Sequence, residues 1–265
     1  MRRRFDRGAI WAFVVLGWRQ ARGQRLALLG QSALYVIVLA IFWQLWRATP
    51  LRELGPSGPS SEGLLWYLAI TEWIVFAGGA RYREIEIEVA SGAIESALLR
   101  PLPHGLATLA RWLGHCAYQS IILGAVGLGA GWWLTGSLPP LGALAPVVVL
   151  SSGLGLALVL LCHLQLGYAA VWIGSAAPAF WVWQKLLFVF GGLLFPLGLY
   201  PDLMRRLSEA SPFAAMLFVP GSLVFGADAQ PLAALVGVQL AWLGVLGAVT
   251  LLVGCQATRR LVGAP

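Results

Sequence analysis

Leu26-Ala-Leu-Leu-Gly-Gln-Ser-Ala-Leu-Tyr-Val-Ile-Val-Leu-Ala-Ile-Phe-Trp-Gln-Leu-Trp46 runs for 21 residues without an Asp, Glu, Lys or Arg. A hydrocarbon layer of ~30 Å takes roughly 20 apolar residues of helix, so this stretch reads as a membrane span, with Trp43 and Trp46 as an aromatic belt at its far end. The whole chain has the same character. It is 59% hydrophobic and 11% charged, with a mean hydropathy of +0.78, where a soluble domain carries roughly 25% charged residues. The class is therefore an all-α, polytopic integral membrane protein. The net charge of +7 comes from basic residues at the ends of apolar runs. It sets orientation and gives no reason to expect nucleic acid as a partner. Cys116, Cys162 and Cys255 are odd in number and lie in or beside apolar runs, so no disulfide framework is implied.

Before this span, Gly8–Trp18 is a short apolar run between Arg2–Arg4 and Arg19, Arg22 and Arg25. It lacks the small-residue cleavage site of a signal peptide. Residues 1–25 read as a cytoplasmic segment with a helix lying in the interface plane. After the span, Arg47–Gly63 is a proline-rich loop, and Leu64–Ala80 is a second, short span with Glu72 inside it. Residues 81–105 then crowd Arg81, Arg83, Glu84, Glu86, Glu88, Glu95 and Arg100 together. Such an island cannot sit in hydrocarbon and must lie in water or at an interface.

From Trp112 to Gln184 there is no formal charge. Thr135–Pro140 divides that run into spans over about 106–134 and 141–168, and Gly174–Pro178 breaks it again. A fifth span covers about 179–199 and a sixth about 231–254. Between them, Phe213–Gly226 is only 14 residues and contains Pro220-Gly221, which reads as a re-entrant element over 213–226. Seven Arg in the first 25 residues and two in the last ten place both termini in the cytoplasm. The island then faces the cytoplasm too. The chain is a single transmembrane domain over 1–265.

Three groups of residues invite a functional reading. Pro101 ends a helix after Leu98-Leu99-Arg100, and Ile94, Ala97 and Leu98 share one face of it. A helix of this kind inserts into a groove on a soluble partner or rests on lipid headgroups. Glu72 is an intramembrane carboxyl: a substrate or proton site, a protonated group bonded between helices, or a group at a water-filled pathway with no specific role. His115-Cys116 and Cys162-His163 stand at equal distances from Pro139 across the span 3–span 4 hairpin. Two His and two Cys suggest a metal site. Neighbours on a helix point about 100° apart, however, so packing is the better reading and no metal ligand is assigned. Gly127-x-x-x-Gly131, Ser151-x-x-x-Gly155 and Gly237-x-x-x-Ala241 are small-residue seams for close packing, within this chain or between two copies.

Val15-Leu-Gly-Trp-Arg-Gln-Ala-Arg22 resembles the helix leading into the first span of ABC-2-type transporter permeases. Ser91-Gly-Ala-Ile-Glu-Ser-Ala-Leu-Leu-Arg-Pro-Leu102 is similar to their cytoplasmic segment. Gly191-Gly-Leu-Leu-Phe-Pro-Leu with Tyr200-Pro-Asp, followed by Ser211-Pro-Phe and Val219-Pro-Gly, looks like their fifth span and re-entrant element. The resemblance is to the branch of single six-span half-transporters. It implies an inner-membrane exporter that pairs with a second permease, identical or related. It further implies docking of a separate cytoplasmic ATPase through Gly92, Ile94, Glu95, Ala97, Leu98, Leu99, Arg100 and Pro101. ATP and Mg would be bound on that partner, with no cofactor and no catalytic residue on this chain. In agreement, no G-x-x-x-x-G-K-[ST] loop is present, and Lys185 is the only lysine. A secondary transporter or channel would need no ATPase but usually shows internal repeats or several polar residues in its spans. A membrane enzyme would need a catalytic cluster at one depth, for which only the His/Cys set qualifies.

Overall fold

The computed structural model describes residues 7–49, 60–98, 102–225, 232–261 and 263, with the Arg7 and Leu98 side chains left out. In hydrocarbon no water is available for backbone N–H and C=O groups, so apolar runs fold as helices. Every regular element among the described residues is helical. They are α1 (Arg7–Gly23), α2 (Arg25–Ala48), α3 (Ser61–Gly78), α4 (Tyr82–Ala90), α5 (Ala93–Leu98), α6 (His104–Thr135), α7 (Ala145–Ile173), α8 (Ala177–Phe190), α9 (Asp202–Glu209), α10 (Pro212–Met216), α11 (Phe218–Ser222) and α12 (Leu232–Leu261). Five stretches are long and apolar enough to cross a membrane: α2, α3 with α4, α6, α7 and α12. The fold is thus all-α and polytopic.

The bundle is built around α3. Its residues from Leu64 to Thr71 are buried without interruption, and Glu72, Ile74, Ala77 and Gly78 with them. A helix apolar on all sides must be covered on all sides, and α2, α6, α7 and α11 do this. On α2, by contrast, only Leu28, Tyr35, Leu39, Trp43 and Trp46 are buried, a single stripe. On α12 only Gln239, Leu246, Thr250 and Ala257 are buried. The other faces of these two helices carry exposed Leu, Ile and Val, as lipid-facing helices do.

Polar side chains staple the helices. The Tyr35 hydroxyl donates to the Ala69 carbonyl at 2.5 Å, and Trp73 Nε1 to the Ser120 carbonyl at 2.9 Å. Gln239 is fully buried. Its Nε2 donates to the carbonyls of Ser151 and Ala215, each at 2.9 Å, while its Oε1 accepts from Ser151 Oγ at 2.9 Å. Two of the small-residue seams close inside the chain. Gly127 and Gly131 lie against the rings of Tyr35 and Trp66, and Gly155 lies against the Met216 carbonyl. Gly237, in the third, has nothing within 4 Å of where a Cβ would be.

Three local expectations acquire structural detail. The run at 7–23 packs lengthwise on the start of α6. A Cβ on Gly17 would overlap the Arg111 carbonyl, and one on Gly114 the Val14 carbonyl, so the two backbones touch. Gly17-x-x-x-Ala21 and Ala110-x-x-x-Gly114 are the small-residue pairs that permit this approach. Second, no continuous helix spans 179–199. After 14 residues α8 stops at Gly191-Gly192, where Gly192 has φ +67°, and Pro196 leads into a short 3₁₀ turn at Leu197–Leu199. Tyr67 donates its hydroxyl to the Gly192 carbonyl, and Thr71 Oγ1 donates to the Leu193 carbonyl at 2.9 Å. Both hydroxyls come from α3 and satisfy the freed carbonyls. Third, the segment expected to be re-entrant folds as α10, α11 and a 3₁₀ turn at Leu223–Phe225, buried against α3, α7, α8 and α12. Gly226 lies outside the described residues.

The charged turn after the central helix

Gly78-Gly79 ends α3, and Gly79 (φ +55°) turns the chain into α4. Ile85 and Tyr82, both fully buried, fix the new helix in place. Ile85 lies against Gly167 of α7, where a Cβ would come within 2.7 Å of it. Tyr82 stacks on Phe180 of α8 at a centroid distance of 4.4 Å.

The carboxylates of α4 are tied to the same chain. Glu84 receives Arg111 at 3.2 Å, Trp112 Nε1 at 2.9 Å and Arg81 at 3.3 Å. Glu88 lies 2.8 Å from His104 Nε2 and 3.5 Å from Arg111 Nη2, and His104 Nδ1 lies 2.9 Å from the Tyr168 hydroxyl. Glu86 accepts from Ser175 Oγ at 2.6 Å and from the Ala176 N–H at 2.9 Å, which puts a negative charge at the start of α8. Arg81 also reaches Gln119 Oε1 at 2.8 Å, and Gln119 donates on to Gln31 Oε1 at 3.1 Å. This network joins α2, α4, α6, α7 and the α7–α8 corner at one end of the bundle.

The opposite face of the turn is open. Arg83, Ile87 and Ala90 recur at i, i+4 and i+7 and are exposed, with Ile87 65% exposed. Gly92 (φ +72°) then turns the chain into α5, where Ala93, Glu95 and Ser96 are exposed. Ile94 departs from expectation: it is 1% exposed and belongs to the core of its own chain. Ala97 lines a hollow of about 240 Å³ between α5, α1 and α6, together with Phe13, Leu16 and Arg111. The face carrying Ile94 and Ala97 thus turns inward. Leu99, Arg100 and Pro101 lie outside the described residues, as does the Leu98 side chain. Sequence reasoning missed Ile87. Its signal is an isoleucine on the outer stripe of α4, between Arg83 and Ala90.

Glu72 is in the middle of α3 and 7% exposed. His115, Cys116, Cys162 and His163 are all buried. Among the described residues no three His, Cys, Asp or Glu side chains gather closely enough to hold a metal ion. His163 packs instead among Tyr82, Phe180 and Trp183, with centroids at 6.4, 5.6 and 4.8 Å.

Residues 68–264 match the sequence model of the family described as ABC-2 family transporter protein, and the chain belongs to that family. A search of curated proteins finds no match.

Proposed function

Taking membership of the ABC-2 transporter family as the premise, we propose that this chain is the permease half of an ATP-driven exporter of the inner membrane. It has six spans, the fifth supplied by α8 and its continuation to Leu199, and both termini lie in the cytoplasm. A second permease, identical or related, completes the pathway. A separate cytoplasmic ATPase binds ATP and Mg²⁺ and supplies the energy.

The observation that carries this reading is the outer face of the charged turn. Ile87, 65% exposed, stands on a helix whose other side is locked into the bundle by Ile85 and three bound carboxylates. An apolar residue exposed on a rigid, charged, non-membrane turn suits a groove on a soluble partner. The docking surface is then Arg83, Ile87, Ala90, Gly92 and Glu95, with Leu98, Leu99, Arg100 and Pro101 extending it. Because α4 is fixed to α6, α7 and the start of α8, a push on this surface moves those helices together.

The test is co-purification of the ATPase with the permease and substrate-stimulated ATP turnover in membranes. Ile87→Asp and Leu98→Asp should each detach the ATPase or uncouple its turnover from export. Wild-type behaviour of both variants in both measurements would remove the docking assignment and put an ion-driven transporter in front. Glu72, as a carboxyl buried in the central span, is the proposed substrate or proton contact. Glu72→Gln should change transport while leaving assembly intact. Unchanged transport would make the carboxyl structural.

A further inference from the structure

A crevice of about 760 Å³ opens between the start of α6, the end of α7 and the end of α12. That volume is in the range of pockets that hold one small ligand, ~300–1,000 Å³. Its walls change character along its length. Leu109, Leu161 and Leu251 line it toward the middle of the helices, while Thr258 and Arg259 line it at the end of α12. From Leu251 to Arg259 is eight residues of helix, ~12 Å at 1.5 Å per residue. The lining therefore changes from apolar to cationic along the last turns of α12.

Charge favours an anion at the rim. Arg259 and Arg260 close α12 and are exposed. Among the described residues no carboxylate pairs with Arg259. Glu88, the carboxylate bonded to His104 of the crevice wall, is engaged by His104 and Arg111. The crevice opens on the outer side of α12, whose Leu251 and Leu252 are 72% and 65% exposed, so its mouth faces the lipid.

We propose that this crevice holds a single anionic phospholipid of the adjoining leaflet, with its headgroup on Arg259 and an acyl chain along Leu109, Leu161 and Leu251. A basic residue at a membrane surface favours an anionic headgroup about fivefold. The site is separate from the docking surface and does not depend on the ATPase reading.

Native mass spectrometry of the purified full-length permease, incubated with phosphatidylglycerol or with phosphatidylcholine of the same chains, tests this. The expected result is one strongly retained phosphatidylglycerol per chain, held about fivefold better than phosphatidylcholine. Arg259→Gln should erase the preference while both lipids still bind. Gly247→Phe, placed where nothing stands within 4 Å, should fill the crevice and release both lipids. If that variant fails to fold, Leu251→Trp at an exposed position blocks the same mouth. Equal retention of the two lipids by the wild type would overturn the proposal, and so would unchanged retention after the crevice is filled. Displacement of phosphatidylglycerol by inorganic phosphate would also overturn it, since Arg259 would then bind only the free anion.

Discussion

The two faces of the α4–α5 turn have similar composition and opposite fates. On the inner face, Glu84, Glu86 and Glu88 are each bound to partners in the same chain, and Ile85 and Ile94 are buried. On the outer face, Arg83, Ile87 and Glu95 meet solvent. Charge density reports where a chain leaves hydrocarbon. It does not report which of the charges remain available to a partner. Here most of the island's carboxylates are fixtures that hold one end of the bundle, and the available feature is an isoleucine.

Substitutions on the two faces should separate sharply, and the largest effect belongs to the inner one. Ile85→Asp would bury an unpaired carboxylate against Gly167, at a cost of several kcal/mol. Loss of the monodisperse peak in size-exclusion chromatography is the expected outcome. A wild-type melting temperature for Ile85→Asp would break the distinction between the faces. Glu84→Gln comes next. It weakens the contacts to Arg111 and Arg81, but the group is 35% exposed, so the cost should fall near the low end of ~1–3 kcal/mol and appear as a melting point a few degrees lower. Glu86→Gln removes a charge from the start of α8 and should cost ~0.3–1 kcal/mol, read in the same assay. Smallest of all for the fold is Ile87→Asp, expected within ~0.5 kcal/mol of wild type. If Ile87→Asp also keeps the proposed ATPase partner, the outer face is merely solvated.

The class of fold was legible because uncharged runs such as 26–46 and 112–184 have one solution in a bilayer. The break at 135–140 and the small-residue seams at 127–131 and 151–155 were legible for the same local reason. What periodicity could not supply was the identity of whatever covers an apolar face. Ile94 and Ala97 share a face, as read, but their own chain takes up that face, because Gly92 turns α5 back toward α1 and α6. The same limit hid α1, whose apolar run with flanking arginines fits a lipid surface as well as it fits α6. Only the matched pair of Gly17 and Gly114, on helices about a hundred residues apart in sequence, distinguishes the two. The halt of α8 at Phe190 was visible as Gly191-Gly192 and Pro196. The carbonyls it frees are met by hydroxyls from elsewhere.

Those hydroxyls impose an order on biosynthesis. The bonds from Tyr67 and Thr71 to the broken stretch close across 125 and 122 residues of chain. A ribosome delivers α3 long before Gly192 emerges. Until that stretch meets α3, the Gly192 and Leu193 carbonyls lack these partners, and a carbonyl buried without one costs ~1–3 kcal/mol. The stretch should therefore wait at the membrane surface or in the insertion machinery until the first four long helices have gathered. Only then does it have somewhere to go. Removing both hydroxyls, with Tyr67→Phe and Thr71→Val, should leave early insertion untouched and stall the chain late, as a species whose first half resists protease and whose second half is cut.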